Sequence, residues 1–222
     1  FNQIHGRSVI VFDIISSYFF FLNKKMTAVA TAQSDSKKNI TSELVLRMPQ
    51  VLSGDDVFFE FCKLNPEMRI ERNELNEIII IAPTSTDTGN RNFEIAGELA
   101  IWNRKTQLGK GFDSSTGFKL PNGAERSPDL AWIRNDRWEA LSEEQRRKFA
   151  PIAPDFVLEL RSADQSLITL KEKMEEYIAC GCRLGWLIDP QARKTFTYSE
   201  NGDIQTIPFE DTLSGGEVLR VM

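Results

Sequence analysis

Two acidic residues stand where acids are expensive. Asp129 follows Pro128 and opens the apolar run Leu130-Ala131-Trp132-Ile133, while Glu159 lies inside Val157-Leu158-Glu159-Leu160. A carboxylate in a buried strand costs free energy unless it is paired or coordinates a cation. Two such strands side by side could share one hard divalent ion, with a main-chain carbonyl and waters completing an oxygen shell. The plainer alternatives are that Asp129 caps a turn and that Glu159 faces solvent or pairs with Arg161. A lysine enters from the helix predicted over Leu167 to Cys180, whose stripe is Leu167, Leu170, Met174, Tyr177 and Ile178. At about 100° per residue, Lys173 falls on the border of that stripe, one turn before Tyr177. Beside two buried carboxylates, its ammonium would stabilise developing negative charge or orient an attacking water. The ordinary alternative is a lysine whose stem lies along the surface. Lys171, on the other border, is the plainer surface residue.

Other chemistries fall away by composition. His5 is the only histidine among 222 residues, which removes Ser-His-Asp and Cys-His triads and histidine-ligated zinc. Cys62, Cys180 and Cys182 cannot build a disulfide framework and have no C-x-x-C zinc spacing. Cys180-Gly181-Cys182 reads as structural. Gly109-Lys110-Gly111 is too short for a phosphate loop, and Trp132, Trp138 and Trp186 read as core. The net charge of −5 lacks the basic excess typical of non-specific nucleic-acid binders. Any phosphate-binding surface must therefore be local, with Arg134, Arg137, Arg161 and Lys171 as the expected rim.

The elements that must position these residues follow from periodicity and turn chemistry. A short helix is expected from the Ser53-Gly54-Asp55-Asp56 cap to Cys62, with Ser53 or Asp55 as N-cap. Strands are expected at Met68 to Glu71, Glu77 to Ala82, Phe118 to Leu120, Asp129 to Ile133 and Phe156 to Arg161. Pro83 to Asn90 reads as a loop, and Asn92 to Trp102 as a helix. Ser142-Glu143-Glu144-Gln145 is a capping box. Gly181 ends the long helix. Leu184 to Ile188 is an apolar strand, and Thr195 to Ser199 with Ile204 to Pro208 make a hairpin about Asn201-Gly202. The strand–helix–strand order from Phe156 to Ile188 predicts a βαβ-like unit in a mixed sheet, hence an α/β or α+β fold.

Residues 1–44 read as a lead-in and 45–222 as a single folded domain. The apolar run Ser8 to Leu22 is about fifteen residues, short of the ~20 that a membrane span needs. Ala28-Val29-Ala30 resembles a cleavage site, but Asp13 within the run and Lys24-Lys25 after it argue against a secretion signal. Residues 1–25 are expected to be translated upstream sequence outside the domain, and the protein to be cytoplasmic with no membrane association.

Ser127-Pro128-Asp129 followed by Val157-Leu158-Glu159-Leu160 resembles the PD-(D/E)XK pattern of restriction-endonuclease-like nucleases. More narrowly, the chain resembles the Uma-two family of that superfamily. The matching stretches are Ser115 to Phe118, Leu120 to Ala124, Ser127 to Asp129, Phe156 to Glu159, Lys173 to Tyr177 with Gly181, and Trp186 to Pro190. The resemblance implies a mixed central sheet flanked by helices and a Mg²⁺-dependent endonuclease acting on DNA. It assigns Asp129 and Glu159 as metal ligands and Asp129, Glu159 and Lys173 as catalytic residues, with DNA as partner and a homodimer as the assembly to test. The alternative is a non-catalytic relative of that fold. One departure is plain: the superfamily places a lysine two residues after the glutamate, and Arg161 stands there. Arginine stays protonated and cannot act as a base. The family supplies its lysine from the following helix, here Lys173. It also often carries a polar or acidic residue on the helix before the sheet, where Glu94 and Glu98 are equal candidates.

Overall fold

The computed structural model describes residues 43–47 and 54–220. Residues 1–25 and nearly all of the lead-in lie outside these, as do Ser53 and the side chain of Asp55. The described chain begins with β1 (Glu43–Arg47), which straddles the expected domain boundary.

Eleven strands form two sheets among the described residues. The first is antiparallel and runs β1, β3 (Glu77–Ile81), β2 (Arg69–Arg72), β6 (Glu125–Arg126), β5 (Phe118–Lys119). The second runs β11 (Ile204–Pro208), β10 (Lys194–Ser199), β9 (Leu184–Asp189), β8 (Phe156–Leu160), β7 (Leu130–Arg134), β4 (Gly109–Asp113). Only β8 and β9 pair in parallel there, joined by helix α5 (Leu167–Ala179), so the expected βαβ unit is present in a mixed sheet. The remaining helices are α1 (Asp55–Leu64), α2 (Thr86–Thr106) and the short α3 (Asn135–Glu139) and α4 (Glu143–Arg146).

The strand carrying Glu159 alternates as expected, yet all five residues of β8 are buried because both faces are covered. Phe156, Leu158 and Leu160 pack with Leu99 and Trp102 of α2. Val157 packs with Leu170, Met174 and Tyr177 of α5. Parity therefore turns Glu159 toward α5 rather than toward solvent. Gly185 on β9 lets that helix come close, since a Cβ there would lie 2.4 Å from Met174 Cε.

Several boundaries differ from expectation. The segment Thr86 to Asn90 belongs to α2: Ser85 is its N-cap, accepting from the Thr88 N–H, so the Ser/Thr/Asp cluster that reads as a loop is a cap. The N-cap of α1 is Gly54, with no side-chain cap. Gly109-Lys110-Gly111 lies in the edge strand β4, unanticipated because of its glycines. Gly109 is required there, since a Cβ would sit 2.2 Å from the Ile133 carbonyl oxygen. The Ser142–Gln145 capping box forms in full, and Gly181 ends α5 with a φ of 98°.

Candidate active site

The site lies where the two sheets meet. Strand β6 belongs to the first sheet and β7 to the second, and Ser127-Pro128-Asp129 is the link between them. Proline has no N–H to give a ladder, so the chain leaves one sheet there without a lost bond. In the β7–β8 register Leu130 faces Leu158, so one step further along the antiparallel pair Asp129 stands across from Glu159. Asp129 Oδ2 accepts from the Leu160 N–H at 2.9 Å, which ties it to β8.

Lys173 comes from α5, one turn before Tyr177. Its Nζ lies 2.9 Å from Glu159 Oε1 and 2.8 Å from Glu71 Oε1, and its side chain is only 11 % exposed. The Tyr177 hydroxyl donates to Glu159 Oε1 at 3.2 Å. Glu71 is a third carboxylate that sequence reasoning missed. On β2, Arg69 and Glu71 share one face and enter the site, while Ile70 and Arg72 turn to Phe58 of α1. The legible signal was the apolar–charged alternation Met68-Arg69-Ile70-Glu71. Glu71 also accepts from the Ser127 N–H at 3.0 Å and pairs with Arg126 at 3.4 Å. Arg126 in turn binds Glu176 at 2.6 Å. Arg69 pairs with Asp129 Oδ1 at 2.9 Å and donates to the Ser127 carbonyl.

The expected additions to this group lie elsewhere. Neither Glu94 nor Glu98 makes a hydrogen bond or ion pair to it among the described residues; the acid that joins is Glu71. Arg134 ends β7, ~16 Å along the strand from Asp129, and Arg137 lies in α3 just after it. Arg134 pairs there with Asp136 and Arg137 with the buried Asp155. Lys171 is held over the Phe196 ring, 4.1 Å from its centroid. Arg161 binds the buried Asp189 at 2.9 Å and the Gln165 carbonyl at 3.1 Å, so it anchors the end of β8 instead of serving the cluster. None of these four forms a rim around Asp129 and Glu159.

The electrostatics separate the carboxylates. Burial pushes Glu159 up to about 7 even with Lys173 beside it, and the charges of Asp129 and Glu71 add to the rise. For Glu71 burial is outweighed by Lys173, Arg126 and Arg69, and its pKa is lowered. Burial alone would lower Lys173, but Glu159 and Glu71 prevail and keep it protonated. One ammonium touches two acids, and the acid with more donors holds the charge. Glu71 has Lys173, Arg126 and a backbone N–H; Glu159 has Lys173 and a tyrosine. Glu159 is thus the member whose protonation changes near neutrality. Tyr177 is raised well above its ordinary value by burial and by the two glutamates, and stays neutral.

The donor set suits a hard divalent cation, being carboxylate oxygen without imidazole or thiolate. Among the described residues no three of His, Cys, Asp and Glu lie together so as to hold one metal ion, and each carboxylate of the cluster carries a cation. Asp129 and Glu159 are the pair that could hold an ion, with Glu71 tied by Lys173, Arg126 and the Ser127 N–H. Cavities adjoin the cluster on two sides. One of about 300 Å³ includes Asp129, Arg69, Ser114 and Ser162. Another of about 600 Å³ includes Glu71, Lys173, Arg126 and Glu176.

A family model described as "Putative restriction endonuclease" (Uma2) matches residues 55–222. A crystal structure from Anabaena variabilis ATCC 29413, described as a putative nuclease belonging to DUF820, superposes with a TM-score of 0.53 at 20 % identity. The match covers 65 % of this chain and 86 % of that one, and supports the fold. No curated protein matches the chain significantly. Among the described residues no helix is long and apolar enough to cross a membrane.

Proposed function

The chain belongs to the Uma2 family of restriction-endonuclease-like proteins, and on that premise we propose that it is a cytoplasmic, metal-dependent nuclease hydrolysing phosphodiester bonds in DNA. The observation that carries this reading is the buried ammonium of Lys173, 2.9 Å from Glu159, with Asp129 directly across the strand pair. Asp129 and Glu159 would hold Mg²⁺ or Mn²⁺. Such an ion, when bound, polarises the phosphate and lowers the pKa of a water. Lys173 supplies a fixed positive charge beside the carboxylates, where it can stabilise charge developing on phosphoryl oxygen. Glu71 and the Tyr177 hydroxyl keep that ammonium and Glu159 in place. Arg161 takes no part, being engaged with Asp189.

A second reading has one observation in its favour. Glu71, Asp129 and Glu159 each already have a cationic partner, Lys173 and Arg126 for Glu71, Arg69 for Asp129 and Lys173 for Glu159, so none of the three is left unpaired without an ion. A nuclease-fold protein that binds without cleaving would need nothing more. Cleavage of single-stranded, duplex and structured DNA with Mn²⁺, against a Glu159→Ala control, separates the two. Mn²⁺-dependent cleavage lost in Glu159→Ala supports the nuclease. DNA binding with no cleavage of any substrate, and no thermal stabilisation by Mn²⁺, supports the second reading.

A further inference from the structure

Arg69 is the cluster's incompletely bonded cation. Its two terminal nitrogens donate to Asp129 and to the Ser127 carbonyl, while its Nε is buried and meets no acceptor among the described residues. A buried N–H without an acceptor costs free energy, so this guanidinium retains an unused donor. Its side chain is 28 % exposed, against 11 % for Lys173 and 9 % for Arg126. It also lines two cavities, of about 300 and 440 Å³, that share Ser114 and Glu67; the first adds Ser85, Ser162 and Asp164, the second Lys63, Ser115 and Ser127.

Charge decides which cation can move. A divalent ion at Asp129 and Glu159 brings two positive charges beside the cations that already hold those carboxylates, and repels them. Lys173 is held by both glutamates, and Arg126 by Glu71 and Glu176. Arg69 has one carboxylate partner, which is one of the two the ion would take, whereas Lys173 and Arg126 each keep a carboxylate the ion would not touch.

We propose that Arg69 is a displaceable cation: it neutralises Asp129 in the metal-free protein and, when a divalent ion takes that carboxylate, turns into the adjoining cavity that holds Lys63, Ser115 and Ser127 and binds a phosphodiester group of the DNA. The planar fork of a guanidinium suits two phosphate oxygens at once. This rests on the nuclease reading and adds to it a residue that positions the substrate.

The test measures two affinities in the full chain. Mn²⁺ binding is followed by calorimetry, and binding of a short labelled DNA duplex by fluorescence anisotropy under saturating Ca²⁺. Arg69→Gln should bind Mn²⁺ about tenfold more tightly, because no cation competes for Asp129, and the duplex about tenfold more weakly. Arg69→Lys should keep near-parental Mn²⁺ affinity yet restore DNA binding only in part, lacking the fork. These opposite signs distinguish the swap from a structural role, which would weaken both. Unchanged DNA affinity in Arg69→Gln, or weakening of both affinities at an unaltered melting temperature, overturns the proposal. If Arg69→Gln melts early, Arg69→Lys decides, and parental DNA affinity in it overturns the swap. A parent protein that binds neither Mn²⁺ nor duplex removes the nuclease reading and the swap together. A parent that binds both, with a variant moving both the same way, refutes the swap alone.

Discussion

Replacing Glu159 by glutamine should stabilise the metal-free protein at about pH 8 relative to its effect at about pH 5. The rise in Glu159 from 4.5 to about 7 corresponds to roughly 3 kcal/mol for a carboxyl this buried. Between those two values the folded protein holds a proton that the unfolded chain has released. Stability therefore falls as pH rises through that window, and the full cost is present above it. Glutamine keeps the shape and can still accept from Tyr177, but it has no charge to desolvate. Lys173 retains Glu71 at 2.8 Å in the variant; the anion it loses is present in the parent only at the higher pH, and its attraction is already contained in the shifted value of Glu159. The quantity to measure is the difference in unfolding free energy between variant and parent, by urea denaturation in chelator at both pH values. It should change by about 2–3 kcal/mol in the variant's favour toward high pH, a little less than the full shift because pH 5 already lies inside the window. That is roughly 4–12 °C in melting temperature for a chain of this size. Parallel pH profiles would contradict the reasoning. They would mean that Lys173 holds Glu159 ionised throughout, and that its charge is shared equally with Glu71.

Lys173→Ala should cut cleavage by ~10²-fold or more and destabilise the fold by several kcal/mol, since two buried carboxylates lose a partner. Lys171→Ala should cost at most about 1 kcal/mol, the worth of its contact with Phe196, and leave cleavage unchanged; nuclease assays and melts on both variants check this. Arg161→Met should destabilise by about 3 kcal/mol by stranding the fully buried Asp189, with Mn²⁺ affinity by calorimetry remaining parental. A large loss of Mn²⁺ affinity in that variant would return Arg161 to the candidate site.

Local pattern carried the parts of this protein that depend on near neighbours. The stripe from Leu167 to Ile178, the stop at Gly181, the capping box at Ser142 and the apolar strand Leu184 to Ile188 follow from periodicity and turn chemistry, which act over a few residues. Acids embedded in apolar strands marked Asp129 and Glu159, because burying a carboxylate demands a partner wherever the chain goes. The border of a stripe marked Lys173 for the same kind of reason. Which partners those acids meet was decided only by tertiary structure. Glu71 and Arg69 lie on β2, more than fifty residues before Asp129, and reach it because Ser127-Pro128-Asp129 carries the chain from one sheet to the other. Arg134 and Arg137 look close to Asp129 in sequence, but a strand extends ~3.3 Å per residue and takes them to the opposite end. Arg161 fits the spacing of a catalytic position, and only the arrival of Asp189 on the parallel neighbour β9 makes it an anchor. Charge pairing across a fold depends on sheet order and register, and these are set by the packing of α2 and α5 on the two faces of β8, a long-range result that no single window of residues contains.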